Sequence, residues 1–375
     1  MKIVVDENIP FAQALLKQHG EVVPVDGRNI APEQLADADA LLIRSITKVN
    51  AALLSQAQRL KFIGTATIGT EHVDQTLLAE KGIAFASAPG CNARSVAQYV
   101  TSALLAAAQF RQQSLKGKSF AVIGAGNTGS ATARCAQALG MKVLFCDPPL
   151  EQQGKLAGGI SLQQALQADV ISLHVPLDQY PELPTRHLIG AEQLQALSPE
   201  QVLINACRGA VVDNHALLAQ AKAGRAPLLI WDVWEHEPKV ITELVEHCFI
   251  ATPHIAGYSL EGKMTGTSMI YHAMCQALDI EPNDLSQQLL PEAGLPTVTL
   301  QPPFSQHSIS QQQVAALTRL VYDLQGDDKR FREFGLTPEG FDRLRKTYPE
   351  RREFSVLQIN SAFEQALAEL GFTYT

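Results

Sequence analysis

Ser119-Phe-Ala-Val-Ile-Gly-Ala-Gly-Asn-Thr-Gly-Ser130 is an apolar run that breaks into three glycines and then takes up a helical pattern near Asn127. Strand, glycine turn and helix in that order make a phosphate-cradling βα unit. Each glycine has its own physical reason. Gly124 permits the tight turn, Gly126 lets backbone approach a pyrophosphate, and Gly129 lets helix and strand pack closely. Free N–H groups and the macrodipole at the helix N-terminus then favour the anion. The next apolar run, 142–146, ends at Asp147, 18 residues beyond Gly129. A carboxylate there accepts from ribose hydroxyls and repels a 2′-phosphate, so NAD is expected rather than NADP. A Rossmann-like methyltransferase and a glycine turn without ligand are the competing readings.

Outward from this turn the same rhythm repeats. Short β-branched runs at 2–5, 41–44, 62–64 and 83–86, then at 119–123, 142–146, 169–175, 201–205 and 228–233, alternate with helix-period segments. Continuous apolar strands separated by helices predict parallel sheets, here two doubly wound α/β units in series. A helix over about 92–109 leads from the first unit into the second, and another over about 260–278 follows it. Past residue 280 the texture turns to prolines and glutamines, which predicts a smaller α+β domain over 281–375. The stretches 178–186 and 306–313 carry no readable functional pattern.

The bulk numbers fit this plan. A chain of 375 residues is too long for one ordinary core. A net charge of −8 without long like-charge runs argues against a nucleic-acid surface. No apolar stretch reaches the roughly 20 residues needed to cross a bilayer, so no membrane partner is expected. The first residues, Met-Lys-Ile-Val-Val-Asp-Glu, lack the apolar core of a signal peptide. Six scattered cysteines without a C-x-x-C pair suit free thiols in a reducing cytoplasm. No metal-ligand spacing is present, so no metal is expected.

Three segments follow later strands of the second unit, where open α/β sheets bind ligands. In Leu203-Ile-Asn-Ala-Cys-Arg-Gly209, Arg208 is a permanent cation with paired donors, suited to gripping a carboxylate. In Trp231-Asp-Val-Trp-Glu-His-Glu-Pro238, Asp232 stands at a strand end and is expected on the nicotinamide side, while Glu237 precedes a proline. In Thr252-Pro-His254, the imidazole can take a hydroxyl proton as hydride leaves. Glu237 would orient His254 and stabilise its protonated form. Any one of these alone has a bland reading, a surface arginine or a satisfied histidine. Cys207 is expected as scaffolding near the cofactor. Contacts to NAD are expected from Gly124, Gly126, Asn127, Thr128, Gly129, Asp147, His174, Val175, Ala206, Cys207, Arg208, Asp232 and Gly257. His72, His215 and His236 are given structural roles.

Together the glycine turn with Asp147, His174-Val-Pro-Leu177, Asn205–Asp213, Asp232–Pro238 and Thr252–His254 resemble the D-isomer-specific 2-hydroxyacid dehydrogenases over about residues 1–280. In that family the corresponding Arg, Glu and His are catalytic, which implies that set here: Arg208, Glu237 and His254. The resemblance implies three domains: a substrate domain of 1–92 with 258–280, an NAD-binding domain of 93–257, and a dimerisation domain of 281–375. It also implies a cytoplasmic homodimer. The segments Val5–Asn8, Ile43–Asn50, Gly64–Thr70, Ala88–Asn92, His254–Lys263 and Phe341–Phe354 narrow the implied substrate to a phosphorylated hydroxy acid, 4-phospho-D-erythronate. Arg44, Ser45, Thr67 and Tyr258 are its expected contacts. The basic residues Arg343, Arg345, Lys346, Arg351 and Arg352 either reach a phosphate from a partner subunit or form a solvated face. A dehydrogenase for another acid such as 3-phosphoglycerate, and an NAD-sensing protein without catalysis, remain as alternatives.

Overall fold

Strands β1 (Lys2–Asp6), β2 (Glu21–Val25), β3 (Ala40–Ile43), β4 (Phe62–Thr65) and β5 (Ala84–Ala86) form one parallel sheet in the order β2-β1-β3-β4-β5. The computed structural model describes residues 1–178, 182–300, 309–360 and 364–374. Parts of both unread stretches, 179–181 and 306–308, lie outside the described residues. The first compact unit comprises Met1–Asn92 and Ser259–Ala293. Strands β1, β3 and β4 are almost wholly buried, as expected of strands covered on both faces. Helix Leu260–Ala277 packs Met264, Ile270, Tyr271 and Met274 onto one face. Its N-cap, Ser259, accepts from the Gly262 N–H at 2.8 Å. Strand β2 is absent from the sequence reading. Pro24 interrupts its pattern, and as an edge strand it tolerates that proline.

The second unit comprises Ala93–Tyr258 and Gly294–Thr375. Its sheet contains β6 (Ser119–Ile123), β7 (Lys142–Cys146), β8 (Val170–Leu173), β9 (Val202–Asn205), β10 (Leu228–Trp231) and β11 (Cys248–Ala251). All are parallel, in the order β11-β10-β9-β8-β6-β7. The chain reverses direction across the sheet between β6 and β8, and ligands bind at such switch points. Helix Ala93–Phe110 buries Tyr99, Val100 and Leu104 in this unit's core. The two expected α/β units are therefore both present.

The C-terminal segment carries helices Gln311–Val321, Leu324–Phe334 and Pro338–Lys346 and a small parallel sheet of β12 (Val298–Thr299), β13 (Gln358–Asn360) and β14 (Thr373–Tyr374). It is a small α+β element, but it shares its core with the nucleotide-binding sheet. Leu317, Tyr322, Phe354 and Leu367 pack with helix Ala93–Phe110, and Phe331 and Phe341 pack with Trp231 and Trp234. It also covers the sheet edge at β11. Asp328 accepts from the Ala251 N–H at 2.7 Å, and Arg332 donates to the Cys248 and Val245 carbonyls, each at 2.7 Å. Unpaired edge groups are thereby satisfied. The cut expected at residue 280 falls inside a segment that groups with the first unit as far as Ala293.

Candidate functional site

The glycine turn has the geometry that its residues require. A Cβ on Gly129 would lie 1.9 Å from the Gly124 carbonyl oxygen, so only glycine lets the helix Asn127–Ala138 approach its strand. Gly124 has φ +94° and faces the His174 carbonyl. Gly126 is the opposite case: nothing lies within 4 Å of where its Cβ would be. That open space sits at a helix N-terminus whose N-cap has no side-chain hydrogen bond. Backbone donors, room and dipole therefore suit a pyrophosphate. Asp147 closes β7, accepting from the Ala125 N–H at 2.7 Å and the Leu150 N–H at 3.0 Å. The carboxylate thus stands beside the turn, where a ribose would follow. These residues fit a dinucleotide.

Across the switch point, the His174 and Val175 backbone borders Gly124. The His174 Nε2 pairs with the Ser172 hydroxyl at 2.8 Å, while its Nδ1 is buried without a partner. Burial pushes His174 down to about 3. An unfolded histidine titrates near 6.5. Between those values only the unfolded chain takes the proton, so this group's contribution must fall as pH falls. We predict a loss of about 1.4 kcal/mol per pH unit below pH 6 from this residue alone. Urea unfolding of His174→Gln and the parent between pH 7 and 5 checks this. Identical slopes would remove His174 from the account.

Arg208 follows β9 and is half-buried. Asn205 shapes its turn: its side chain donates to the Arg208 carbonyl at 3.1 Å and accepts from the Cys207 N–H at 3.2 Å. The guanidinium donates to the Cys207 carbonyl at 2.8 Å and, among the described residues, has no carboxylate partner. Gly209 is obligatory, since a Cβ would meet the Trp234 carbonyl carbon at 2.0 Å. The Arg208 turn and the Trp234–Glu237 turn are thereby brought into contact. Cys207 is buried, and burial raises its thiol to about 11, as a scaffolding role requires.

His254 and Glu237 meet. Nδ1 of His254 lies 2.5 Å from a Glu237 oxygen, and the other Glu237 oxygen accepts from the Trp234 N–H at 3.2 Å. Burial alone would raise the Glu237 carboxyl. The charge and hydrogen bond of His254, then the Arg345 guanidinium, hold it below the usual carboxylate range. His254 has φ +58°, a left-handed backbone that a non-glycine residue keeps only when its surroundings impose it.

Asp232 imposes it. Its carboxylate accepts from the Thr252 hydroxyl at 2.6 Å, the Ile255 N–H at 2.8 Å and the Ala256 N–H at 2.9 Å. Its carbonyl accepts from the His254 N–H at 2.6 Å. Tyr99 and Trp234 hold Thr252 from two further sides. Asp232 is 1% exposed, so this carboxylate is committed to the turn that carries His254. The sequence places Asp232 at a strand end, on the expected nicotinamide side, and gives no sign of this hold on the His254 turn.

Arg351 was missed as well. It is buried and donates to the Ala256 carbonyl at 3.0 Å and the Ser95 carbonyl at 2.6 Å, with its guanidinium 4.0 Å from the Tyr322 ring centroid. The basic cluster is therefore not one thing: Arg351 is internal, Arg343 and Lys346 are exposed, and Arg345 is between. Tyr258 stacks edge-on with Tyr348 at 5.7 Å. In the first unit, Arg44 forms a two-point ion pair with the fully buried Asp6 at 2.9 and 3.2 Å. Thr67 bonds to Thr65 at 2.8 Å, and Ser45 is exposed. One His/Asp/Glu cluster, His187 with Asp213 and Glu235, has ligand atoms close enough for an ion. Its groups already engage one another and the cap of helix Asn214–Lys222.

Residues 92–256 match the family described as D-isomer specific 2-hydroxyacid dehydrogenase, NAD binding domain, and residues 289–371 match a domain of unknown function. The chain is 53% identical over its full length to an erythronate-4-phosphate dehydrogenase of Tolumonas auensis, covering 99% of that protein. It is 51% identical to the protein of that name from Aeromonas hydrophila, with 99% of each covered. Among solved structures it is similar to the D-lactate dehydrogenase of Aquifex aeolicus, complexed with NAD and lactic acid. The identity there is 26%, the TM-score is 0.58, and 74% of this chain and 96% of that one are covered. The TT0316 protein of Thermus thermophilus gives 26% and 0.61, with 76% and 99% covered. No described helix is long and apolar enough to cross a membrane. Glycine turn, His–Glu pair and full-length likeness agree: the chain belongs to the D-isomer specific 2-hydroxyacid dehydrogenase family, and its second unit contains the NAD-binding domain.

Proposed function

We propose that the chain oxidises 4-phospho-D-erythronate at C2 to 3-hydroxy-2-oxo-4-phosphooxybutanoate, a step of vitamin B6 synthesis. The His254–Glu237 pair carries the chemical part of this reading, and the full-length relatives support the substrate. Gly124, Gly126, Asn127, Thr128 and Gly129 would cradle the cofactor pyrophosphate, Asp147 its ribose, and His174, Val175, Ala206, Cys207 and Gly257 its remainder. When bound, NAD supplies the two-electron acceptor. Arg208 holds the substrate carboxylate and polarises the forming carbonyl. With Nδ1 bonded to Glu237, the Nε2 of His254 is left to accept the C2 hydroxyl proton. Glu237 keeps the imidazole oriented and offsets the charge it gains. Arg44, Ser45, Thr67 and Tyr258 supply further substrate contacts, and Asp6 fixes the direction of Arg44.

The protein acts as a cytoplasmic homodimer assembled through the C-terminal segment. Six free thiols and the exposed Phe110, Leu320 and Phe334 of the second unit support that reading. The deciding measurement is NADH formation with 4-phospho-D-erythronate and, separately, with 3-phosphoglycerate. We expect kcat/KM for the former to be at least about 100-fold higher, as a site built around specific polar contacts allows. The reverse order would make the chain a dehydrogenase for the other acid.

A further inference from the structure

Helix Pro338–Lys346 turns one basic side chain toward the chemistry rather than toward solvent. The Arg345 guanidinium lies 5.6 Å from the ring centroid of Tyr258, four residues beyond His254, and 5.8 Å from that of Phe341. Its Nε is buried without a hydrogen-bond partner. Among the described residues it has no ion-pair partner and no hydrogen-bonded carbonyl, whereas both terminal nitrogens of its neighbour Arg351 donate to backbone carbonyls. A guanidinium beside two rings, without an ion-pair partner and with a desolvated donor unused, can receive an anion.

We propose that Arg345, supplied by the same chain that carries His254, binds the phosphate group of the substrate and so selects phosphorylated acids. The inference rests on the substrate reading above. Arg208 is left for the carboxylate, so the two anionic ends of one substrate meet two separate cations. Phe341 and Tyr258 flank the guanidinium, whose fork can present two donors to two phosphate oxygens. The field of Arg345 is felt at Glu237, which sets it near the reacting centre. On this reading the phosphate is reached within the chain, where the sequence leaves a contact from a partner subunit or a solvated face as the expectations.

The test compares Arg345→Gln and Arg345→Lys with the parent on a matched pair, 4-phospho-D-erythronate and D-erythronate. For Arg345→Gln we expect KM for the phosphorylated acid to rise at least about 30-fold, as loss of a charged hydrogen-bond partner implies. Its kcat and its kcat/KM for D-erythronate should stay within about threefold, which is uniform binding lost from one substrate only. Arg345→Lys retains the stem and charge and should recover part of the loss. Equal losses on both acids would overturn the proposal and make Arg345 a positioning residue for Glu237. Should Arg345→Gln fail to fold, the lysine variant decides by the same comparison. If the parent instead turns over 3-phosphoglycerate, the pair with D-glycerate tests Arg345 separately from the substrate reading.

Discussion

His254→Asn is expected to cut kcat by about 10²- to 10⁴-fold while leaving NAD affinity within about twofold. Asparagine is the right probe because of the backbone. Position 254 has φ +58°, and Asn tolerates the left-handed region better than Ala does. The turn held by Asp232 should therefore persist, and only the proton acceptor is lost. At about 1.4 kcal/mol per decade, the change removes roughly 3–5 kcal/mol of transition-state stabilisation. Steady-state kinetics and equilibrium NAD titration on one preparation separate the two effects. A kcat within threefold of the parent would end the assignment of His254 as base. Loss of NAD binding would instead mean that the turn itself had collapsed.

Arg351→Met should cost about 3 kcal/mol of stability and lower kcat as well. Methionine keeps much of the stem volume but leaves the Ala256 and Ser95 carbonyls buried without their donor. Each such orphan costs about 1–3 kcal/mol, and the contact with the Tyr322 ring is also lost. Because Ala256 lies two residues past His254, the damage should reach the catalytic turn. Urea unfolding and kcat, measured on the same variant, check both halves. A variant unfolding within 0.5 kcal/mol of the parent, with full activity, would show those carbonyls to be satisfied otherwise.

The α/β frame was legible because its signals are local. The runs at 119–123 and 142–146 coincide with β6 and β7, and the helix at 92–109 differs by one residue at each end from Ala93–Phe110. Buried parallel strands must be continuously apolar, and glycines must stand where a Cβ would collide. The His–Glu–Arg set was legible because each member follows a strand end next to a proline or a glycine. The supporting groups were not. Asp232 reads in sequence as one more strand-end acid, and only the fold shows its carboxylate spent on three donors from the next turn. Arg343, Arg345 and Arg351 look alike in a basic run. Their burial, which distinguishes anchor from surface, depends on helices packed from far along the chain. The tail shares its core with the nucleotide-binding sheet, so its packing is not announced by a local signal.

The path of Arg351 also sets a schedule. Domains generally fold as they leave the ribosome, N-terminal parts first. The nucleotide-binding sheet is complete once β11 has emerged, yet the carbonyls just after His254 still lack their donor until Arg351 arrives. The edge of β11 likewise stays open until Asp328 and Arg332 follow. A nascent chain therefore passes through an interval with its dinucleotide turn formed and its catalytic turn unfinished, exposing a strand edge to its neighbours. Conditions that slow translation of the last third lengthen that interval, and aggregation rather than slow catalysis is the failure to watch for.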